Sequence, residues 1–509
     1  MPVTTDFAGT ETLAETKSRL GTLLTAYGYD SSGYSTWGDA RTDLNSALTA
    51  IEETTISDGE LASSFRSKLN ALNAWSDYPA GGKVPNLVFD FEDEYYWAND
   101  TETTFGDSIT FSRASSATYV DSDGVLQTAA SGVPRIGHHV WNGSAWVNEG
   151  LLHESEARTN SIRNSTMVGA TAGTLDTTGS LPTNWSMSGI ATSSVTVATG
   201  TESGLAYTEL RVNGTPTAPV RIFLDTATGI AASAGQNWTF STWMKLESGT
   251  LTNVDNVQVA NNRYTSGGAF HSANSVFITL TSTSQRFSFP DTSIDDADGS
   301  GTIESIRPRL QFTWTSGAVD FTVRIYGPQM ELGSTPSSYI PTSGSTVTRA
   351  AETLTIPAAK LPYSATAMSI QMDGRMTYAD TDEVVAVNQI RWQADASNRI
   401  YQFVVTSGGA TGKFGVQQIS GGVVDSSQET GNTLVPGILT PFNAASRHGS
   451  TFIRGAIDGT LLPANTTPTA LPDLSTTDLN LGYDYMGTIR TFRMWDQDIG
   501  DSGIQEASA

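Results

Sequence analysis

The segment at residues 110–138, TFSRASSATYVDSDGVLQTAASGVPRIGH, contains arginines, aspartates, hydroxyls and a histidine close together in sequence. A hydrolytic site built from these residue types would need a nucleophile or paired carboxylates, with a base and an orienting group. The spacing favours a turn instead. Asp121 and Asp123 precede Gly124, and Asp-Gly is typical of hairpins because glycine adopts positive φ and aspartate bonds its own backbone. The flanking runs ATYV and VLQT alternate like strands, which also predicts a hairpin.

Calcium binding is the alternative for these aspartates. A second acidic run, DDADGSG at residues 295–301, is more similar to a calcium loop, but it lacks a downstream glutamate at the spacing of a bidentate ligand. We therefore expect no cofactor, with weak calcium binding as the open alternative.

We expect the arginines of this region to be structural, because the planar guanidinium group can tie together several carbonyl or carboxylate groups. The residues assigned to this structural motif are Arg113, Asp121, Asp123, Gly124, Pro134, Arg135, Glu154 and Arg158. Glu154 and Glu156 are the carboxylates that a polysaccharide hydrolase would use, but we expect them to pair with arginine. The histidines of the region lack the spacing of a zinc pair. We predict no catalytic residue and no metal site.

Aromatic side chains suggest a different chemistry, because the C–H faces of pyranose rings pack on aromatic rings. In the run WTFSTWMKL, Trp238 and Trp243 are five positions apart, so in a simple strand they point to opposite faces and only one belongs to the core. The candidate glycan-binding residues are Trp185, Trp238, Trp243, Tyr264, Trp314, Trp392 and Tyr401. Arg391 and Arg399 lie beside the last two and could form a patch with them, although solvated strand faces explain them equally well.

The elements that must position these residues change in type along the chain. Up to about residue 76 the apolar spacing is helical and predicts three amphipathic helices, the third opening with a capping box at residues 57–60. The run YPAGGKVPN at residues 78–86 is a hinge signal. Beyond it, short alternating runs of β-branched and aromatic residues predict antiparallel strands. The expected fold class is mainly β, with two antiparallel β-sandwiches.

We divide the chain into four predicted units: a helical region at 1–80, a β connector module at 81–165, and two β domains at 166–345 and 346–509. Three short helices bury little core, so we expect the helical region to pack on copies of itself or on a partner.

The bulk composition excludes some partners. With 28 Lys and Arg against 52 Asp and Glu the net charge is −24, which disfavours nucleic acid and anionic membranes. Cysteine is absent, so disulfides and thiolate chemistry are excluded. The N-terminal sequence lacks the pattern of a signal peptide, and no apolar run is long enough to span a membrane. We expect assembly in a reducing cytoplasm without membrane insertion.

Residues 110–138, followed by GLLHESEARTN at 150–160, resemble a motif pair of phage structural proteins and gene transfer agent head-spike fibres. The shared pattern is roughly F-x-R-A-S-x-A-T-Y-x-D-x-x-G, then P-R-x-x-H, then G-L-L-x-E-x-x-R-T-N, and nearly every element is present in this chain. The chain has three residues instead of two between Glu154 and Arg158, and a longer hairpin around HHVWNGSAWVNEG. The resemblance implies a virion fibre or spike whose β module joins an attachment region to receptor-binding domains.

Two further stretches resemble carbohydrate-recognition folds. FTVRIYGPQMELGSTPSSYIPT, near the end of the 166–345 unit, is similar to the end of carbohydrate-binding jelly rolls. LNLGYDYMGTIRTFRMWDQDIG, near residue 495, is similar to the end of laminin-G or concanavalin-like sandwiches.

These observations predict a non-enzymatic virion fibre, on the head or the tail, assembled in the host cytoplasm. We expect its N-terminus to contact other virion proteins at a capsid vertex, spike base or tail. We expect its sandwiches to bind host surface polysaccharide, and the chain to form a homo-oligomer, with a trimer favoured. A capsid decoration protein without receptor binding and a capsule-degrading enzyme are the alternatives.

Overall fold

The computed structural model describes residues 13–30, 37–51, 53, 55–56, 68–69, 71–72, 75–76, 78–226, 229–292, 294, 301–429, 431 and 433–509. It confirms the mainly β fold class with antiparallel sandwiches and a short helical N-terminus. The helices are α1 (Leu13–Ala26), α2 (Trp37–Ala50), α3 (Phe105–Ser108) and α4 (Gly500–Ala507). Short 3-10 turns occur at Thr192–Ser194, Ser266–Gly268, Ala358–Lys360 and Gly408–Ala410. Within the described residues, no helix is both long and apolar enough to cross a membrane.

The strands before residue 170 are β1 (Leu87–Asp90), β2 (Tyr95–Ala98), β3 (Thr101–Glu102), β4 (Thr110–Ser112), β5 (Ala117–Val120), β6 (Leu126–Ala129), β7 (Arg135–Ile136), β8 (His139–Trp141), β9 (Trp146–Asn148), β10 (Leu151–Glu154) and β11 (Arg158–Asn160). Those between residues 170 and 335 are β12 (Gly173–Thr174), β13 (Ser186–Ser188), β14 (Val195–Glu202), β15 (Leu205–Gly214), β16 (Val220–Phe223), β17 (Ile230–Ala231), β18 (Trp238–Thr250), β19 (Val254–Thr265), β20 (Phe270–Ile278), β21 (Gln285–Asp291), β22 (Ile303–Trp314) and β23 (Val319–Leu332). The remaining strands are β24 (Val347–Arg349), β25 (Thr353–Ile356), β26 (Ala367–Tyr378), β27 (Thr381–Asp395), β28 (Asn398–Ser407), β29 (Phe414–Ser420), β30 (Val423–Gln428), β31 (Gly437–Gly449), β32 (Ile453–Ile457), β33 (Thr460–Leu461), β34 (Leu479–Tyr483) and β35 (Met486–Trp495).

The helical region packs on strands of its own chain. The inner positions of α1 and α2, including Leu24 and Leu48, are buried together with Leu69, Val88 and Trp97. The apolar side of the helices is therefore covered by the sheet that contains β1 and β2 of the same chain, whereas the sequence predicts packing on copies of the helices or on a partner. The predicted capping box at 57–60 and the start of the third helix lie outside the described residues.

One sandwich, called the composite sandwich below, is built from two distant parts of the chain. Its larger sheet has the order β3-β2-β1-β35-β26-β31-β32-β33, with β10 on β35 and β7 on β10. Its second sheet has the order β30-β29-β28-β27-β34-β25-β4. The strands of the predicted 81–165 and 346–509 units thus share both sheets.

The composition of β1 explains this sharing. All four residues of β1, LVFD, are buried, so the strand needs cover on both faces and hydrogen-bonding partners on both edges. β1 obtains them between β2 and the C-terminal half of β35, while β10 pairs with the N-terminal half of the same β35 edge.

The second sandwich, called the insert sandwich below, has its own core. One sheet has the order β12-β14-β15-β23-β18-β21, and the other has the order β13-β16-β22-β19-β20 with β17 on β22. Leu126 of the hairpin β5–β6 packs beside Trp243 and Tyr339 against the first of these sheets, and its amide donates to Ser203 O at 3.0 Å. The sheet of β16, β22 and β19 lies on the opposite side of the insert core.

Candidate functional site

The outer side of the sheet formed by β16, β22 and β19 carries many polar side chains. Along β22, Ile306, Leu310 and Phe312 point into the insert core. The intervening residues must point outward because successive side chains of a strand alternate between faces. The outward polar residues of these three strands, with Tyr264, form what we call the polar face: Arg221, Asn256, Gln258, Asn262, Tyr264, Arg307, Arg309, Gln311 and Thr313. Phe223 and Ala260 lie on the same side, directly across from Arg309 on the two neighbouring strands.

The register brings these residues into rows across the sheet. Gln311 of β22 lies between Arg221 of β16 and Gln258 of β19. Gln311 Nε2 donates to Thr313 Oγ1 at 3.2 Å, and Thr313 Oγ1 donates to Asn256 Oδ1 at 2.8 Å. Amide and hydroxyl groups that both donate and accept thus cover one half of the face.

Two guanidinium groups meet at the centre of the polar face. Arg221 Nε and Arg309 Nη1 donate to the same Gln311 Oε1, at 2.8 and 2.7 Å. Neither arginine has a carboxylate partner among the described residues. Burial, and then the neighbouring charge of Arg221, lowers the pKa of Arg309 to about 10, so Arg309 is still cationic at neutral pH.

An aromatic edge borders the polar face on the β20 side. The guanidinium carbon of Arg307 lies 4.1 Å from the ring centre of Tyr264, and Phe270 contacts the same tyrosine edge-on at 6.0 Å between ring centres. Phe270 and Phe277 are 58% and 68% exposed. Large apolar side chains in that position provide stacking surface next to the hydrogen-bonding groups.

Several polar atoms of the face have unused hydrogen-bonding capacity. Asn262 Oδ1, Arg307 Nε and Arg309 Nε are inaccessible to solvent and have no hydrogen-bond partner within the described structure. Asn262 and Arg309 are only 6% and 8% exposed. Buried polar groups are normally satisfied, so this outward face is a candidate ligand-binding surface.

Most of the aromatic residues proposed from the sequence lie elsewhere. Trp185, Trp238 and Trp392 are buried, and the indole N–H of Trp392 donates to Thr477 O at 2.7 Å. These three side chains are part of the two cores and offer no ring face to a ligand. Trp314 is half-buried against the insert core, with its indole N–H donating to Gly317 O.

Trp243 and Trp238 do point to opposite faces of β18. Trp243 lies on the side that faces the composite sandwich, edge-on to Tyr339 at 5.9 Å between ring centres and under the guanidinium of Arg286 at 4.5 Å. Of the seven candidates, Tyr264 alone belongs to the polar face.

Tyr401 lies on the outer side of the composite sandwich with the arginines that the sequence places near it. Arg399 lies 5.1 Å and Arg391 5.9 Å from its ring centre, and Arg391 also stacks on Tyr483 at 4.0 Å. This second patch is smaller, and Arg391 interacts with Asp484.

Two arginines of the motif at 110–160, Arg113 and Arg135, belong to a buried group of charged side chains that we call the ionic cluster. Its members are Arg113, Arg135, His153, Glu154, Arg349 and Glu352. Arg113 and Arg135 reach Glu352 Oε1 at 2.7 and 2.9 Å. Arg135 and Arg349 reach Glu154 Oε2 at 2.9 and 3.1 Å. The cluster joins β7, β10 and β24 with the residue before β25, and its side chains are buried.

Burial alone would raise the pKa of Glu154, but Arg349 and Arg135 outweigh it and lower this pKa to about 2. The pKa of Glu352 is also lowered, because Arg135 and His153 outweigh its burial. Two carboxylates held ionised by arginines are unsuited to act as a general acid, so the cluster is structural.

The remaining motif residues serve local geometry. Asp121 Oδ1 accepts from the amides of Asp123 and Val125 in the turn between β5 and β6, where Gly124 has φ of 73°. A Cβ on Gly124 would lie 2.3 Å from the ring of Trp146. Pro134 directly precedes β7.

Arg158 pairs with Glu156 at 2.6 Å and donates to Leu332 O, which links β11 to the end of β23. Within the described residues, no group of three or more His, Asp or Glu side chains could hold a metal ion. The acidic run at 295–300 lies outside the described residues.

Sequence reasoning missed the centre of the polar face, although a signal for it exists. In IESIRPRLQFTW, Arg307, Arg309, Gln311 and Thr313 occupy every second position between apolar residues. In VDNVQVANNRYT, Asn256, Gln258, Asn262 and Tyr264 follow the same period. The signal is the period of two in arginines and amides, which places them on one face of a strand.

No protein-family model matches this chain, and no curated protein matches it. Parts of it are similar to solved structures. These include the CBM40 module of the Ruminococcus gnavus IT-sialidase bound to α2,3-sialyllactose, with 11% identity, 29% of this chain and 84% of that chain covered, and a TM-score of 0.23. Domain 4 of AbnA, a GH43 extracellular arabinanase from Geobacillus stearothermophilus in complex with arabinotriose, is 12% identical to this chain. The match covers 35% of this chain and 81% of that chain, with a TM-score of 0.25. The NanB sialidase from Streptococcus pneumoniae is 14% identical to this chain. The match covers 30% of this chain and 26% of that chain, with a TM-score of 0.23.

Proposed function

We propose that this chain is a non-enzymatic glycan-binding protein that recognises polysaccharide through the polar face of the insert sandwich. The observation that carries this proposal is the set of outward amide and guanidinium groups in register on β16, β19 and β22, beside an exposed aromatic edge. Sugars combine the two complementary features, since ring hydroxyls both donate and accept hydrogen bonds and the C–H faces of the ring are apolar.

The chemistry of the polar face favours binding over hydrolysis. Glycosidic bonds are cleaved by a pair of carboxyl groups on either side of the scissile bond, whereas the polar face presents amides, hydroxyls and guanidinium groups. The paired glutamates of the ionic cluster are buried and held by arginine. We therefore retain the capsule-degrading enzyme only as an alternative.

We also propose that the chain is a fibre or spike of a phage or phage-like particle, attached through its N-terminal region and assembled in the host cytoplasm. The motif pair at 110–138 and 150–160 supports this. The same proposal includes three further expectations. The chain forms a homotrimer, it contacts capsid vertex, spike base or tail proteins, and its ligand is host surface polysaccharide. Weak single sites would then gain strength from several copies on one particle. Gold-labelled antibody against the chain should mark the head or the tail of particles, and unlabelled particles would contradict this role.

The glycan-binding proposal is tested with the full chain on an array of bacterial surface polysaccharides. The double substitution Asn262→Ala with Gln311→Ala should abolish binding. Because Gln311 is also the acceptor for Arg221 and Arg309, circular dichroism must show that the variant is folded under the conditions of the binding assay. Arg211→Ala is the matched control, because Arg211 lies on the other sheet of the same sandwich in an exposed pair with Asp320. Equal binding by the double variant would contradict the assignment of the face. No binding by the wild type would favour a decoration protein, and release of reducing ends would favour an enzyme.

A further inference from the structure

We infer that the centre of the polar face, formed by Arg221 and Arg309, binds the carboxylate of an acidic sugar residue. This inference rests on the proposed function and adds the chemical class of the ligand. The polar face then has a charged centre, which binds the carboxylate, and a surrounding set of amides and aromatic rings, which contact the rest of the glycan.

The first argument is the missing counter-charge. The chain has 52 acidic and 28 basic residues, and many of its described arginines pair with a carboxylate, including half-exposed Arg211 with Asp320. Arg309 is only 8% exposed, yet both it and Arg221 have an amide oxygen instead. Burying a cation without a counter-charge is unfavourable, and a bound anion would remove that cost.

The second argument is geometry. Both guanidinium groups contact one oxygen atom, Gln311 Oε1, so the two cations are held close together despite their repulsion. Arg309 Nε remains without an acceptor. A planar carboxylate fits such guanidinium groups, because each can donate two parallel hydrogen bonds to it. Gln311 then serves as the group that holds the pair in place in the absence of ligand.

The third argument is the surroundings of the pair. Asn262 Oδ1 is buried without a partner, and Tyr264 and Phe270 lie along the β20 side. An isolated inorganic anion would use the arginines alone, whereas an acidic sugar also uses the amide and the aromatic edge. The net charge of −24 opposes the long-range approach of an anionic glycan, but salt screens distant charges, and the contact itself depends on groups within hydrogen-bonding distance.

The test compares acidic oligosaccharides with their own methyl esters, which keep the sugar and remove the charge. Calorimetry on the full chain would use oligomers that contain galacturonate, glucuronate or N-acetylneuraminate, each with its ester. At least one acid should bind about ten-fold more tightly than its ester, the size expected for hydrogen bonds to a charged group. Arg221→Gln and Arg309→Met should each lower the affinity for that acid to the level of the ester, and Arg211→Gln should leave it unchanged.

The outcomes separate this inference from the proposed function. Equal affinity for every acid and its ester, with binding still lost in the Asn262→Ala, Gln311→Ala variant, would overturn the carboxylate site and leave glycan binding standing. Preference for sulfated sugars, or full competition by inorganic sulfate, would overturn the assignment of carboxylate as the anion. Absence of binding to any oligosaccharide and to the polysaccharide array would overturn the proposed function itself.

Discussion

The two arginine-rich regions of this protein differ in what the arginines face. In the ionic cluster, Arg113, Arg135 and Arg349 are buried and each reaches a carboxylate oxygen of Glu154 or Glu352. On the polar face, Arg221 and Arg309 share one amide oxygen and have no described carboxylate. The same residue type therefore performs two tasks, and the counter-charge distinguishes them.

The comparison teaches that burial of a charged residue is not by itself a sign of function. The sequence draws attention to the ionic cluster, because its residues are concentrated in one recognisable segment. The carboxylates of that cluster are held by neutral donors as well as by arginines: Ser338 donates its amide and hydroxyl to Glu154, at 2.7 and 2.6 Å. The less conspicuous pair on β16 and β22 has the unused capacity that a binding site requires.

The largest expected effect comes from removing the central carboxylate of the ionic cluster. Glu352→Gln would leave the buried guanidinium group of Arg113 with neutral partners and would remove one of the two carboxylates that Arg135 contacts, which should lower the free energy of unfolding by about 3–5 kcal/mol. Urea denaturation followed by tryptophan fluorescence measures this. Asp320→Asn is the matched control, because its pair with Arg211 is half-exposed and should contribute less than about 1 kcal/mol. Similar stability of the two variants would contradict a structural role for the cluster.

Acid should weaken the ionic cluster before it affects the polar face. Because the folded-state pKa of Glu154 is lowered from 4.5 to about 2, its contribution to stability is present above pH 4.5 and is lost as the pH falls toward 2. The urea midpoint of the wild type should therefore fall more steeply between pH 5 and pH 3 than that of Glu154→Gln. Parallel curves for the two proteins would show that this carboxylate is not held by its arginines.

Trp243 offers a test of the junction between the two sandwiches. Trp243→Ala removes a half-buried ring from between Tyr339 and Arg286, and it should cost about 2 kcal/mol, less than the roughly 3–5 kcal/mol of a fully buried ring. Phe277→Ala, at a side chain that is 68% exposed, should change stability by less than about 0.5 kcal/mol. If Trp243→Ala left stability unchanged and abolished glycan binding, the ring would be a ligand contact and the polar face would not be the principal site.

The smallest expected change in stability is that of Arg309→Met, and it is the most informative for the comparison of the polar face with the ionic cluster. Arg309→Met replaces a desolvated cation without a counter-charge by an apolar side chain of similar length, so stability should stay within about 1 kcal/mol of the wild type or rise slightly. Arg135→Met in the ionic cluster should instead lose about 3–5 kcal/mol. Thermal and urea denaturation of both variants would measure the difference. Equal destabilisation would mean that Arg309 is structural, and the distinction between the two regions would fail.

The fold class and the local elements follow from the sequence to a large extent. The alternation in segments such as VDFTVRIYG predicts strands, and the D-S-D-G run predicts the turn that joins β5 to β6, because both depend on residues adjacent in the chain. The mainly β fold class is confirmed for the same reason. The faces of β22 are also encoded in its period of two.

Only the tertiary structure decides which strands become neighbours. Hydrogen bonding between strands is not specific to sequence, so nothing in LVFD indicates that β1 pairs with residues 491–494. Glu352 was missed for the same reason, since it lies far along the chain from the arginines that it neutralises. The chain contains many more acidic than basic residues, yet the pairing of strands places Arg221 and Arg309 together without a carboxylate partner among the described residues. Local periodicity determined the elements of this protein, and long-range packing decided which charges are neutralised and which remain available to a ligand.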